Sequence, residues 1–488
     1  MSILTIIHNG QQRTVRFDGT PILDEVLMNE GLRIPHPCGG RGICGKCAIT
    51  AEGALSPPSA RETELGHRLS CVTRLCGDAS VTLPDTTAEM RIVSDTAPLE
   101  IAAPNVGLGV AVDIGTTTVA LKVYDLQSGA CVGTAAAPNP QTAVAADVIG
   151  RIEAAMRGEG ERLQRMIRDT LGALLTEAMP PDTHPVRCTI TGNTTMLYLL
   201  CGHDPTPLSR APFLADRLFG EQISAPWGDF PVYLPPCMNA FVGADITCAV
   251  LASGMCERER NALLCDIGTN GELALWKNGT LYVTSTAAGP AFEGAGIACG
   301  CGSIDGAIDS VRVENGKLSI HTIGDHPPIG ICGSGVLDAV AAGLALDTID
   351  ESGAMEEPMP LGGTVALHPR DVRAVQLAKA AIAAGITTLL ETSQTLPEEI
   401  DTLYIAGGFG THLSMESAAA IGLLPRELIG RAQILGNAAL SGAAITLADT
   451  NACLRLEQIA ARSHHTNLGG DSRFSAHYID RMILGEEE

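Results

Sequence analysis

Two apolar-rich runs open the chain, "SILTIIH" (2–8) and "QQRTVRF" (11–17), and the Asn-Gly pair between them predicts a β-hairpin. The stretch "TPILDEVLMNEG" (20–31) then changes to a helical period, with Thr20 as N-cap, Pro21 at the first helical position and Gly31 just past the end. Through "DTAPLEIAAPNVG" (95–107) the periodicity lapses while Pro and Ala accumulate, which predicts a linker. After it, "GLGVAVDIGTTTVALKVYDLQSG" (107–129) reads strand, tight turn, strand, turn. The same reading returns in "NALLCDIGTNGELALWKNG" (261–279), so the Asp-Ile-Gly-Thr turn at 113–116 recurs at 266–269. A further apolar run in "DTLYIAGGFGTHL" (401–413) ends in glycines. The organisation expected is a first domain over 1–95, a linker over 96–107 and a larger α/β domain of two related halves over 108–488.

Composition narrows the class. At 488 residues the chain exceeds the ~150-residue domain prior several-fold, and 45% apolar content excludes a disordered chain. Uninterrupted apolar stretches such as "AVAAGLAL" (339–346) stop short of the ~18 residues of a membrane span, and the first thirty residues lack a secretory order, so a cytoplasmic location is expected. The net charge of −23 argues against nucleic-acid binding. Residues 1–95 are nearly neutral, with 9 basic against 11 acidic residues, and the remainder carries the excess acid.

Sixteen cysteines in such a chain do not suggest disulfides, and singly placed ones such as Cys188, Cys248 and Cys453 read as small buried hydrophobes. Cys38, Cys44 and Cys47 are different: their C-x5-C-x2-C spacing is followed after 23 residues by Cys71 in "RLSCVT". Four thiolates in that order suit a 2Fe-2S cluster, the first gap being one residue longer than in plant-type ferredoxins. Gly39, Gly40, Gly42 and Gly45 let the backbone fold closely round the sulfides. A four-cysteine zinc site is the alternative, and Cys76 is a rival fourth ligand.

In both repeated turns an Asp ends a buried strand and is followed by Gly, Thr hydroxyls and backbone donors, a set able to hold phosphate and a metal-bound water. Gly407-Gly408-Phe409-Gly410, without side chains at the glycines, would let a flat base lie against the backbone.

These three elements resemble the phosphate-1, phosphate-2 and adenosine motifs of the actin, sugar kinase and heat-shock chaperone ATPases. Together with "NPQTAVAADVIGRI" (139–152), "TGNTTM" (191–196), "FVGADI" (241–246), "AGPAFEGAGI" (288–297) and "GICGSGVLD" (330–338), the chain resembles the reductive activators of corrinoid enzymes. That resemblance implies an α/β protein with an N-terminal β-grasp 2Fe-2S ferredoxin domain and a duplicated actin-like (ribonuclease H-like) ATPase domain. It implies a 2Fe-2S cluster on Cys38, Cys44, Cys47 and Cys71, with ATP and Mg2+ as further cofactors. Asp113 and Asp266 would place Mg2+ and the attacking water, and Gly115, Thr116, Thr117, Thr118, Gly268, Thr269, Asn270 and Gly271 would cradle phosphate. Gly407, Gly408 and Phe409 would line the adenosine pocket. Asn193, Thr194 and Asp245 would either face the cleft or serve as strand-end caps. The implied job is ATP-dependent return of a Co(II) corrinoid to Co(I), with a corrinoid protein and an upstream low-potential donor as partners and homodimerisation at family level.

His412 reads as a capping or packing residue, Cys299 and Cys301 as an incomplete metal pair, and "MILGEEE" as a solvated acidic tail. Longer family members carry a middle domain between ferredoxin and ATPase, and the short linker here implies its absence. Two other functions share parts of the pattern: a small-molecule kinase of the same ATPase fold, and an electron-transfer protein whose ATPase half only binds nucleotide and docks partners.

Overall fold

The computed structural model describes the chain apart from residues 1, 9, 31, 33, 35–41, 43, 44, 46, 84–97, 103, 104, 409–412, 450 and 486–488. Contacts divide it into two compact units, Met1–Met90 with Pro140–Ala154, and Arg91–Asn139 with Ala155–Glu488.

The first unit is built on a mixed five-stranded sheet. Ser2–His8 pairs antiparallel with Gln11–Phe17 and parallel with Leu75–Thr82, and Ala48–Leu55 and Arg68–Leu69 complete the order. Alternation along Ser2–His8 turns Leu4 and Ile6 inward, where Phe17, Leu23, Leu27, Leu69 and Leu75 join them in one core. The helix spans Leu23–Asn29 with Ile22 at its N-cap, so it starts later than Thr20 and Pro21 predicted. Those two residues are held extended by a competing interaction. The Thr20 carbonyl accepts from Arg74 Nη1 at 3.1 Å, and the Pro21 carbonyl accepts from Leu75 N at 3.0 Å. Glu25 then closes the helix start by accepting from Ile22 N at 3.2 Å. Gly31 lies outside the described residues.

The second unit holds two six-stranded sheets of one design. In the first, the meander Leu108–Ile114, Thr118–Asp125, Cys131–Pro138 is flanked on its other side by Pro185–Gly192, parallel to Leu108–Ile114, and then by Pro231–Leu234 and Glu221–Ser224. In the second, the meander Ala262–Ile267, Gly271–Lys277, Thr280–Thr286 is flanked by Thr402–Ala406, parallel to Ala262–Ile267, and then by Ala432–Gly436, while Ser463–His465 adds a sixth strand beside Thr280–Thr286 at the other edge. The central strands are apolar on both faces because helices cover both, which is why Leu108–Ile114 and Ala262–Ile267 read as continuous runs. A smaller sheet of Lys317–Thr322, Ala307–Glu314 and Gly330–Ile331 and a hairpin of Met359–Gly362 and Val365–Leu367 elaborate the second half.

Among the described helices, Pro369–Thr392 is the only one long and apolar enough to cross a membrane, and most of it is buried inside the fold. It starts with His368 as N-cap and Pro369 at the first position, and Asp371 accepts from His368 N at 3.0 Å.

Candidate functional site

In the first unit the chemistry converges on two sulfurs. Cys47 and Cys71 are both buried, with their Sγ atoms 3.2 Å apart, close enough for both to reach one metal ion. Cys76 is exposed on the Leu75–Thr82 strand, whereas Cys71 is the residue that stands beside Cys47. Cys38 and Cys44 lie outside the described residues. Gly42 and Gly45 have φ of +68° and +74°, and a Cβ there would come within 2.7 Å of Val72 and 2.9 Å of Leu65, so glycine is required at both positions.

Glu62 fixes the loop that carries Cys71. Its carboxylate accepts from Ser59 N at 2.7 Å, Arg68 Nε at 2.9 Å, Leu69 N at 3.0 Å and Thr73 Oγ1 at 2.8 Å. Burial raises its pKa, but the hydrogen bonds from Ser59, Leu69 and Thr73 outweigh that and hold the group down at about 2. The "RLSCVT" segment is therefore gripped on both sides of the cysteine. The donor chemistry, two converging buried thiols in a glycine cradle, fits an iron–sulfur group.

In the second unit each Asp-Ile-Gly-Thr turn ends the first strand of the meander in its own sheet. Asp113 pairs in register with Ala120 across the turn and with Thr191 on the parallel strand. Asp266 pairs with Glu272 across its turn and with Ala406 on its parallel strand. The first turn closes through Gly115 N to Thr118 O at 2.9 Å and the second through Gly268 N to Asn270 O at 3.0 Å. Asn139 braces the first from behind, donating from its side chain to Gly115 O at 2.8 Å and from its backbone N to Thr117 O at 2.7 Å.

Four carboxyl groups around the two turns have raised pKa values. Burial pushes Asp113 up to about 6, against the pull of the Asn437 amide, which donates to its Oδ2 at 2.9 Å. Burial and the Asp113 charge push Asp266 up to about 7. Asp245 is raised by burial and by Asp113 and Asp266, and Glu272 by burial, Asp245 and Asp266. Asp245 sits in the first turn of the Ala244–Ser253 helix and accepts from Ile246 N at 2.9 Å. Such a set is costly to ionise together, and a bound cation relieves that cost. No group of three or more His, Cys, Asp or Glu close enough to chelate an ion forms among the described residues, so a cation here would keep water in its shell.

The remaining predicted residues divide. Asn193 caps the Thr194–Cys201 helix through Met196 N at 3.0 Å and also donates to Thr116 Oγ1 at 3.1 Å, so it touches the first turn. Thr194 is buried with its hydroxyl engaged on Asn239 O at 2.7 Å, a tie within the fold. Gly407 has φ of +92°, and a Cβ there would stand 2.7 Å from Asp266 Oδ1 and 2.8 Å from Ile267 O. A glycine is thus required to let Asp266 sit where it does, a reason additional to room for a base. Gly408 is open, while Phe409, Gly410 and His412 lie outside the described residues. Cys299 and Cys301 flank a short pairing with Ile331, through Cys301 N to Ile331 O and Ile331 N to Cys299 O, both at 2.9 Å, which accounts for their place. Cys188 and Cys248 are buried as expected, and Cys453 is only partly so.

Sequence reasoning missed Asn139, Glu272, Glu293 and Asn437. Asn139 and Glu293 stand inside segments singled out by pattern, "NPQT" and "AFEG", but nothing in one sequence shows that they touch the turns. Glu272 had a legible signal: it lies opposite Asp266 in any hairpin closed by that turn.

Comparison with known proteins supports this layout in three consecutive segments. Residues 6–76 match a 2Fe-2S iron–sulfur cluster binding domain, 108–258 the RACo middle region, and 260–488 the C-terminal domain of RACo, the ASKHA domain. The middle region that the short linker was expected to leave out is thereby matched at residues 108–258, ahead of the match to the ASKHA domain. A corrinoid activation enzyme, RamQ of Eubacterium limosum, is 34% identical over 421 residues, covering 78% of this chain and 70% of that one. A [Co(II) methylated amine-specific corrinoid protein] reductase of Methanosarcina barkeri is 28% identical over 236 residues, 44% of this chain and 43% of that one. Among solved structures, a reductive activator for corrinoid, iron–sulfur protein matches with a TM-score of 0.72 at 25% identity over 99% of both chains.

Proposed function

This chain belongs to the family of corrinoid activation enzymes, and from that premise we propose that it returns the inactive Co(II) corrinoid of a methyltransferase system to Co(I) with ATP. The observation that carries the reading is the union in one chain of the Cys47–Cys71 pair in its ferredoxin sheet with two Asp-Ile-Gly-Thr turns facing one acidic cleft. The 2Fe-2S cluster supplies a one-electron couple, loaded by an upstream low-potential donor. Cys38, Cys44, Cys47 and Cys71 hold it, and Glu62 keeps the Cys71 loop in place.

Reduction of Co(II) is unfavourable for a ferredoxin acting alone: each ~59 mV of adverse potential costs tenfold in product for one electron. The ATPase half offsets this if nucleotide binds more tightly to the state that favours reduced cobalt. Asp113 and Asp266 hold Mg2+ and orient the attacking water, while the Thr116, Thr117, Thr269 and Asn270 turns hold phosphate. Asp245 and Glu272 add charge that attracts the cation. The partners are a corrinoid protein and the electron donor, the active form is a homodimer, and the setting is the cytoplasm, with no nucleic acid or membrane engaged.

The test is anaerobic absorbance spectroscopy of a Co(II)-loaded corrinoid protein mixed with the reduced chain. A Co(I) spectrum that forms with Mg-ATP, and is lost in Asp113→Ala and in Cys44→Ser, is the expected result. Equal reduction without ATP would instead make this an electron-transfer protein.

A further inference from the structure

Glu293 ends the short Pro290–Glu293 turn of helix and places its carboxylate against both phosphate turns. Its Oε2 accepts from Thr117 Oγ1 at 2.6 Å and its Oε1 accepts from Thr269 Oγ1 at 2.7 Å. Thr117 follows the Leu108–Ile114 strand of the first sheet and Thr269 follows the Ala262–Ile267 strand of the second. One carboxylate therefore straps the two halves of the ATPase together at the point where their turns approach.

The strap is held from its own side. Gly294, next in the chain, has φ of +74°, and a Cβ there would stand 2.4 Å from the Cys301 carbonyl, so the backbone behind Glu293 is pressed against its neighbour. Gly268 of the second turn lies in ordinary contact on the other side, its Cβ position 3.7 Å from Glu293 Oε1.

A threonine hydroxyl carries one hydrogen and donates it once. Phosphate oxygens and a carboxylate are both anionic acceptors, so they compete for that hydrogen and repel each other across a short distance. We propose that Glu293 competes with the terminal phosphate of ATP for the hydroxyls of Thr117 and Thr269, so that a nucleoside triphosphate releases the strap and the diphosphate leaves it in place. The inference rests on the ATP reading given above and adds a residue to it. Triphosphate binding replaces a tie within the protein by one through the ligand. Hydrolysis and departure of phosphate restore the original tie, so Glu293 reports to both halves which nucleotide the cleft holds.

The experiment is titration calorimetry of the full, cluster-loaded chain with Mg2+ and either a non-hydrolysable ATP analogue or ADP. Glu293→Gln keeps shape and one acceptor oxygen but removes the charge. It is expected to tighten the ATP analogue by about tenfold while ADP changes less than about twofold. Glu293→Asp, whose shorter carboxylate spans the two hydroxyls less well, is expected to shift the same ratio in the same direction by a smaller factor, and serves if the glutamine variant does not fold. A ratio of triphosphate to diphosphate affinity unchanged from wild type, or moved toward ADP, overturns the proposal. A wild-type chain that binds neither nucleotide overturns the ATP reading along with it.

Discussion

Glu62 and the acids of the cleft are all carboxyl groups packed among other side chains, yet their acidities move in opposite directions. Glu62 accepts hydrogen bonds from Ser59, Arg68, Leu69 and Thr73, and sits at about 2. Asp113 accepts from the Asn437 amide and sits at about 6, while Asp266 pairs in register with Glu272 and sits at about 7. Both sets pay for burial, but one is answered by donors inside the fold and the other leaves the answer to a ligand. The first pattern is that of a carboxylate used for structure. The second is that of a site shaped for a cation and its phosphate.

The largest contrast is in what each residue does when neutralised. Asp266→Asn and Asp113→Asn are each expected to lower ATP turnover on the order of 10³-fold, because the metal and water lose their anchor. Thermal stability in EDTA should rise or hold, since a repulsive charge is gone. Glu62→Gln should do the reverse: about 3 kcal/mol of stability lost, with the cluster's visible absorbance falling, from leaving charged and backbone donors unanswered. ATP turnover that survives either aspartate change, or a Glu62→Gln chain as stable as wild type, would erase the distinction.

The pH dependence of stability sharpens the same contrast. A carboxyl raised in the folded state binds its proton more tightly there than in the unfolded chain, where it titrates near ~4. With Asp113 at about 6 and Asp266 at about 7, the metal-free protein should therefore lose stability as pH rises from about 4 to about 8. Glu62 contributes oppositely: its stability is present above about 4.5 and lost as pH falls toward about 2. Urea midpoints in EDTA from pH 5 to pH 8 check the first arm. Glu272→Gln should flatten that fall by removing a further carboxyl whose pKa is raised in the folded state, and added Mg2+ should flatten it in the wild type.

A third, smaller effect concerns geometry. Gly407→Ala places a Cβ against Asp266 Oδ1 and the Ile267 carbonyl at a positive φ, and is expected to cost about 2–3 kcal/mol and to lower ATP turnover together. An alanine variant as stable and as active as wild type would show that the Asp266 carboxylate has room to move.

How much of this was legible in the sequence depended on whether the signal was local. The hairpin at Ser2–Phe17 and both Asp-Ile-Gly-Thr turns are set by neighbours within a few residues, and they stand where pattern put them. The start of the Leu23–Asn29 helix was misplaced because Arg74 and Leu75, some fifty residues away, take the carbonyls of Thr20 and Pro21. The cysteine spacing left Cys76 as a rival to Cys71, and nothing in the sequence marked Glu62, which holds the Cys71 loop through Leu69 and Thr73. Thr194 read either as a cleft residue or as a strand-end cap, because its segment ends an apolar run, and only the fold shows its hydroxyl donating to the Asn239 carbonyl. Glu293 and Asn437 reach the first turn from 176 and 324 residues away, distances at which one sequence carries no pairing signal.

Asn437 offers the finest cut. Its amide donates to Asp113 Oδ2, while its Oδ1 accepts from Leu440 N at 2.8 Å and caps the Ala438–Ala448 helix. Replacing it by serine keeps a competent N-cap, so stability should change by less than about 1 kcal/mol. The amide bond to the ionised carboxylate is lost, however, and Asp113 should then titrate above its present value of about 6. If turnover needs that carboxylate ionised, the acid limb of the kcat/KM profile for ATP moves to higher pH in Asn437→Ser, with the rate at pH 8 nearly unchanged. An acid limb that stays in place would assign the limb to a different group and leave Asn437 as a helix cap alone.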